Sequence, residues 1–149
     1  MSKITSPPFV IPSSDLVPRD QWRVAVTGGR VWKDKAFVWR GINRFEERWG
    51  QISALAEGEA TGVDTFCRLW AERAGVPVIP YEADWDRWGD AAGSIRNEEM
   101  LEDFKPDILL VFPGGTGTQH CTRTARKMAI ERVFFNLHDD PFADATAWG

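Results

Sequence analysis

Short apolar runs alternate with longer stretches of helical spacing along this chain. The run Trp22-Arg23-Val24-Ala25-Val26-Thr27 is apolar and β-branched and predicts a first strand. Residues 52–57, 76–81, 108–112 and 131–137 predict four more. After the first strand, Phe37, Val38, Ile42, Phe45 and Trp49 recur at helical spacing behind a candidate cap, Asp34. Phe66, Leu69, Trp70 and Ala74 do the same up to Gly75, a helix-ending residue. Two further helices are predicted over about residues 91–104 and 119–128. Five strands alternating with four helices define an α/β protein: a Rossmann-like, doubly wound sheet of about five parallel strands with helices on both faces. Prolines at 77 and 80 put the third strand at an edge. The domain is expected over residues 21–138. A proline-rich arm precedes it (residues 1–20, with Pro7, Pro8, Pro12 and Pro18) and a tail follows it (residues 139–149). Phe9-Val10-Ile11 can dock on the body or on a second subunit, but a mostly loose arm is the simpler expectation.

Three strands end in glycine-bearing turns. The fourth stops at Pro113-Gly114-Gly115-Thr116-Gly117-Thr118 before the chain turns helical. Such a break leaves free N–H groups at the positive end of a helix, which suits a phosphate or carboxylate. The first ends at Thr27-Gly28-Gly29-Arg30, where a guanidinium stands ready for an anion. The second runs into Gly58, Gly62 and Asp64, with Asp64 placed to cap the next helix. In a doubly wound sheet, ligands bind beyond the strand tips where the strand order reverses, and the first and fourth strands are the expected neighbours there. The full G-x-G-x-x-G and the P-loop lysine are both absent, which argues against a standard dinucleotide dehydrogenase or NTPase.

Composition narrows the partners. The net charge of −4 argues against a general nucleic-acid binder. No apolar run is long enough to span a membrane, and prolines stand where a signal peptide needs an apolar core. Cys67 and Cys121 lack metal-ligand spacing, so a reducing cytoplasm with no structural metal is expected. Eight tryptophans are many for this length. Trp85 and Trp88, beside Asp84, can flank a nucleobase or cover the edge of a core. His138 reads as a surface histidine.

The set Val26-Thr27-Gly28-Gly29-Arg30, Gly58 to Asp64, Ala83-Asp84-Trp85, Arg96-Asn97-Glu98-Glu99-Met100 and Phe112 to Thr118 resembles the SLOG superfamily. Within it the chain is most similar to the YspA-like, YpsA-related branch of bacteria and phages, over about residues 22–136. The resemblance implies a Rossmann-like sheet that binds nucleotides or nucleotide-derived signals, often as an oligomer. More distantly the chain is similar to the LOG, or lysine decarboxylase-like, family, which cleaves the N-glycosidic bond of nucleoside monophosphates. Pro113 to Thr118 match its P-G-G-x-G-T motif, and Arg96 and Met100 match its R-K-x-x-M. Cys121 stands where that family has its catalytic glutamate, and Asn97 where it has lysine.

The leading expectation is a binding module for a nucleotide-derived small molecule, an ADP-ribose-type signal and its sequestration by a phage protein included. A phosphate would sit on residues 114–118, neutralised by Arg30 and Arg96. Asp64 or Asp84 would accept from ribose hydroxyls, and Trp85 or Trp88 would flank the base. Thr27, Gly28, Gly29, Gly58, Gly62 and Asn97 complete the expected site, and no cofactor is expected. The second expectation is a phosphoribohydrolase with Arg96 and either Glu57 or Glu59 as catalytic groups, the two glutamates facing the crevice edge. The third is a structural homo-oligomer with a vestigial crevice.

Overall fold

The structure, a computed structural model, describes residues 8–138. Six strands form one sheet: β1 (Phe9–Pro12), β2 (Gln21–Thr27), β3 (Gln51–Glu57), β4 (Val78–Pro80), β5 (Ile108–Val111) and β6 (Glu131–Asn136). Their order across the sheet is β1-β6-β5-β2-β3-β4. Strands β2 to β6 are parallel to their neighbours, and only β1 runs antiparallel, against β6. The five predicted strands therefore form the parallel sheet, with β4 at its edge, and the arm adds a sixth. The chain reverses its winding between β2 and β5, the switch point of a doubly wound sheet.

The described part of the arm is not the loose segment expected. Residues 9–12 of β1 pair with residues 133–136 of β6. The hydroxyls of Ser13 and Ser14 then donate to Glu131 Oε2 at 2.8 and 2.6 Å. The edge of β6 offers unpaired backbone groups, and a four-residue segment satisfies them. The tail over residues 139–149 lies outside the described residues, as do residues 1–7.

Helices cover both faces. On one side lie α1 (Lys35–Trp49) and α2 (Val63–Ala74), and on the other α4 (Ala92–Phe104) and α5 (Thr116–Lys127). The α1 residues Phe37, Val38, Ile42, Phe45 and Trp49 are all buried, as their spacing predicts. They meet Val24, Val26, Leu55, Leu110 and Val133 of the sheet. Phe112 and Phe135 stack at 4.5 Å with planes 8° apart, beneath Gly41 of α1. A Cβ at Gly41 would lie 2.7 Å from Phe135 and 3.0 Å from Phe112, so the helix seats on the rings only without a side chain there. The opposite face is built from smaller residues. Ala25, Ala54 and Ala56 of the sheet meet Met100, Leu101 and Phe104 of α4 and Cys121 and Ala125 of α5.

Two local differences matter for the site. Helix α5 begins at Thr116, three residues before its predicted start, so Thr116, Gly117 and Thr118 form its first turn. Between β4 and α4, where the sequence pattern predicts no helix, lies a four-residue helix, α3 (Trp85–Trp88), capped by Asp84, whose carboxylate accepts from the Arg87 N–H at 3.0 Å. Among the described residues no helix is long and apolar enough to cross a membrane.

Removing one ring of the stacked pair leaves a cavity between α1 and the sheet. Phe135→Ala is expected to lower stability by about 3–5 kcal/mol, read as a fall in the urea midpoint. A loss below about 1 kcal/mol would mean that the stack carries little of the core.

Candidate functional site

The tips of β2 and β5 end level, with Thr27 beside Val111. Beyond them the two chains stay bonded: Phe112 N–H donates to Thr27 O at 2.9 Å and Gly29 N–H to Pro113 O at 2.8 Å. The approach requires glycine. A Cβ at Gly114 would lie 2.2 Å from Thr118 Oγ1 and 2.6 Å from Gly29 N. Gly62, the N-cap of α2, holds φ +72°, and a Cβ there would lie 2.3 Å from Gly29 O. Gly29 O in turn accepts from Val63 N–H at 3.1 Å. The turn after β2 is thus clasped between the start of α2 and the turn after β5.

A cavity of about 950 Å³ opens at this junction. It lies at the upper end of the ~300–1,000 Å³ range of ligand pockets. Its wall gathers Thr27, Gly28, Gly29, Arg30, Gly58, Asp64, Trp85, Arg96, Asn97, Pro113, Gly114, Gly115, Thr116, Gly117 and Thr118. Arg30 and Thr116, on separate strand tips, face the same space. The N-cap of α5 is Gly115, and no side chain caps that end. A Cβ on Gly115 or Gly117 would meet nothing within 4 Å, so the first turn of α5 is open on its cavity side.

Five of the expected residues lie outside the wall, Trp88 at the end of α3 among them. Gly62 acts through the backbone clasp just described. Asp84 caps α3. Glu59 is exposed, with φ +56°, and does not reach the cavity. Glu57 is fully buried rather than at the crevice edge. Along β3 it shares the side of Leu55, two residues earlier, which packs on the α1–α2 face. Its Oε2 accepts from Glu59 N–H at 2.5 Å, and its Oε1 has no hydrogen-bond partner. Burial pushes its carboxyl up to about 7, with the Glu59 N–H opposing and Asp64 adding to the rise.

Arg96 is held flat against Gly58. Its Nη1 donates to Gly58 O, its Nε to Asn97 Oδ1 at 3.0 Å, and a Cβ on Gly58 would overlap the guanidinium. The buried Asn97 amide links both sides of the cavity, because its Nδ2 donates to Gly117 O at 3.1 Å and lies 3.3 Å from His120 Nδ1. His120 Nδ1 therefore accepts, and the ring proton sits on Nε2, 3.9 Å from Glu98 Oε1. Burial holds His120 below its ordinary value, with Glu98 opposing and Arg123 and Lys127 pushing the same way.

Asp64 does not cap its own helix. Its Oδ2 accepts from Ala60 N–H at 3.3 Å, in the turn before α2. Burial raises its carboxyl to about 6, with Arg96 the strongest opposing influence. Cys121 packs in the α4–α5 core instead of on the cavity wall, and burial pushes its thiol to about 12. It cannot do the work of a carboxylate.

Sequence reasoning missed Lys33, Asp90, Ser94, His120 and Arg123, all on the wall. His120 and Arg123 follow Thr116 at i+4 and i+7, one face of α5, and an earlier helix start would have exposed that spacing. The wall sets Arg30, Lys33, Arg96 and Arg123 against Asp64 and Asp90, an excess of positive charge in a chain of net −4.

A Rossmann-like sheet with two glycine turns joined at its switch point, and a cationic cavity above them, defines the class of this protein. Comparison with known proteins makes it specific. The profile of the YspA, cpYpsA-related SLOG family (YAcAr) matches residues 22–88. Gene 61 protein of Mycobacterium phage D29 is 38% identical over 126 residues, covering 80% of this chain and 98% of that protein. The chain belongs to the YspA, cpYpsA-related SLOG family, and that membership points to a nucleotide-related ligand in general terms.

The two raised carboxyls give stability a pH dependence. A carboxyl with a folded value above its unfolded one keeps its proton longer in the native state, so its contribution is present below about pH 4 and is lost as pH rises toward 7. Glu57→Gln keeps an acceptor for Glu59 N–H and removes the ionisation. It is expected to narrow the stability difference between pH 5 and pH 8 by on the order of 2 kcal/mol in urea titrations. An unchanged difference would place the ionisation elsewhere.

Proposed function

We propose that this protein binds a nucleotide or a nucleotide-derived signalling molecule in the cavity at the β2–β5 junction. The observation that carries the reading is the uncapped first turn of α5, which opens onto a wall with four cationic side chains. Free N–H groups and the helix dipole favour a phosphate there. Arg30, Lys33, Arg96 and Arg123 make the cavity as a whole favourable to a negatively charged ligand, and the ring of Trp85 offers a face for a base. Asp64, ionised above about pH 6, is the wall carboxylate suited to accept from ribose hydroxyls. An ADP-ribose-type signal and its sequestration by a phage protein fall within this reading, and the phage relative gives them a setting.

Binding without cleavage is preferred over phosphoribohydrolase chemistry. Cys121 occupies the position of the catalytic glutamate in the LOG family and is buried off the wall, and Glu57 and Glu59 also lie outside it. Incubated AMP is expected to be recovered intact. Release of free adenine, lost in Arg96→Ala, would turn the reading to a hydrolase. A homo-oligomer fits either reading, and gel filtration with light scattering reads it directly.

Isothermal titration against a nucleotide panel tests the proposal. At least one nucleotide is expected to bind below millimolar concentration. Gly114→Ala, whose methyl would force Gly29 away, is expected to weaken that nucleotide by about tenfold or more while the chain stays folded. No binding by any nucleotide at millimolar concentration would contradict the proposal.

A further inference from the structure

Two arginine tips converge on one point of the cavity wall. The position that a Cβ would take on Gly93 lies 3.8 Å from Arg30 Nη2 and 3.9 Å from Arg96 Nη2. The two side chains come from different elements, Arg30 from the turn after β2 and Arg96 from α4. Among the described residues neither guanidinium forms an ion pair. Like charges repel, so two guanidinium groups brought this close favour an anion between them.

Both guanidinium groups bring Nη2 to that point. Nη1 and Nε of Arg96 are committed to Gly58 O and Asn97 Oδ1, which leaves Nη2 beside Gly93. Arg30 Cζ lies 4.8 Å from the centre of the Trp85 ring, a cation–π contact, with its Nη2 beside the Gly93 position. Trp85 also bounds the spot, 3.5 Å from the same Cβ position. Of the wall's two acids, Asp64 and Asp90, Asp64 feels both arginines, one carboxyl against two guanidinium groups. The first turn of α5 belongs to the other wall of the cavity, joined to this one through the Asn97 amide.

We propose that Arg30 and Arg96 form a second anion subsite beside Gly93, so that the cavity takes a nucleotide carrying a phosphate beyond the one seated on α5. The inference rests on the nucleotide reading above and makes it more specific. A nucleoside monophosphate fills one subsite and leaves the arginine pair unsatisfied. A doubly phosphorylated nucleotide fills both, and each guanidinium then gains a charge-assisted hydrogen bond.

Titration of the full chain with AMP, ADP and adenosine 3′,5′-bisphosphate tests it. At least one doubly phosphorylated probe is expected to bind about tenfold or more tighter than AMP. A gain with ADP means adjacent phosphates, and a gain with the bisphosphate means separated ones. Arg30→Gln, at an exposed position, is expected to cut that affinity ratio at least about fivefold. Gly93→Ala is expected to cut the ratio as well, although its methyl makes only ordinary contacts of 3.5–3.9 Å with the fold. AMP binding with no gain from a second phosphate overturns this inference alone. So does a ratio that both substitutions leave intact. Failure of all three probes overturns the nucleotide reading together with it.

Discussion

The structure depends on the bare backbone contact between the turns after β2 and β5. Gly29 N–H reaches Pro113 O at 2.8 Å, and a side chain on Gly114 would collide with Gly29 N. That contact keeps two strand tips together at the point where the sheet changes winding, the place where such sheets bind ligands. It also fixes what stands around it. Gly62 presses on Gly29 O from α2, and the same stretch that makes the contact launches α5 with its first turn uncapped. The anion-binding end of α5 and the arginine after β2 face one space because the backbones touch.

Charge follows from the same arrangement. A chain of net −4 lines one cavity with four cationic side chains and two acids. A third acid, Glu57, sits behind the wall with a carboxylate oxygen unpartnered, and burial raises its carboxyl to about 7. Asn97 ties the two walls together with one amide, accepting from Arg96 and donating to Gly117 O. Asn97 is a neutral linker, and the cations of the wall are Arg30, Lys33, Arg96 and Arg123 around it.

Much of this was legible in the sequence, for physical reasons. Four of the five parallel strands announce themselves as apolar runs closed by proline or glycine, β6 by its apolar run alone, and the aromatic spacing of α1 marks its buried face. The pairing of the first and fourth strand tips follows from winding rules alone. The rest was hidden by context. Phe9-Val10-Ile11 is too short to read as a strand, and only the open edge of β6 makes it one. Thr116-Gly117-Thr118 is poor helix-forming sequence. Burial of Thr118 and the Asn97 bond to Gly117 O extend the helix over it, and with it comes the i+4, i+7 face of His120 and Arg123. Strand alternation alone would have placed Glu57 with Leu55 on the core side, away from the crevice.

The most direct test of the central claim is a backbone amide NMR titration of the full chain with a binding nucleotide. The account predicts that the amides of Gly29, Gly115, Thr116 and Gly117 shift together on a single saturating curve, because both turns line one cradle. Shifts confined to one turn, or found only at the far end of the sheet near Trp22 and Glu131, would contradict it.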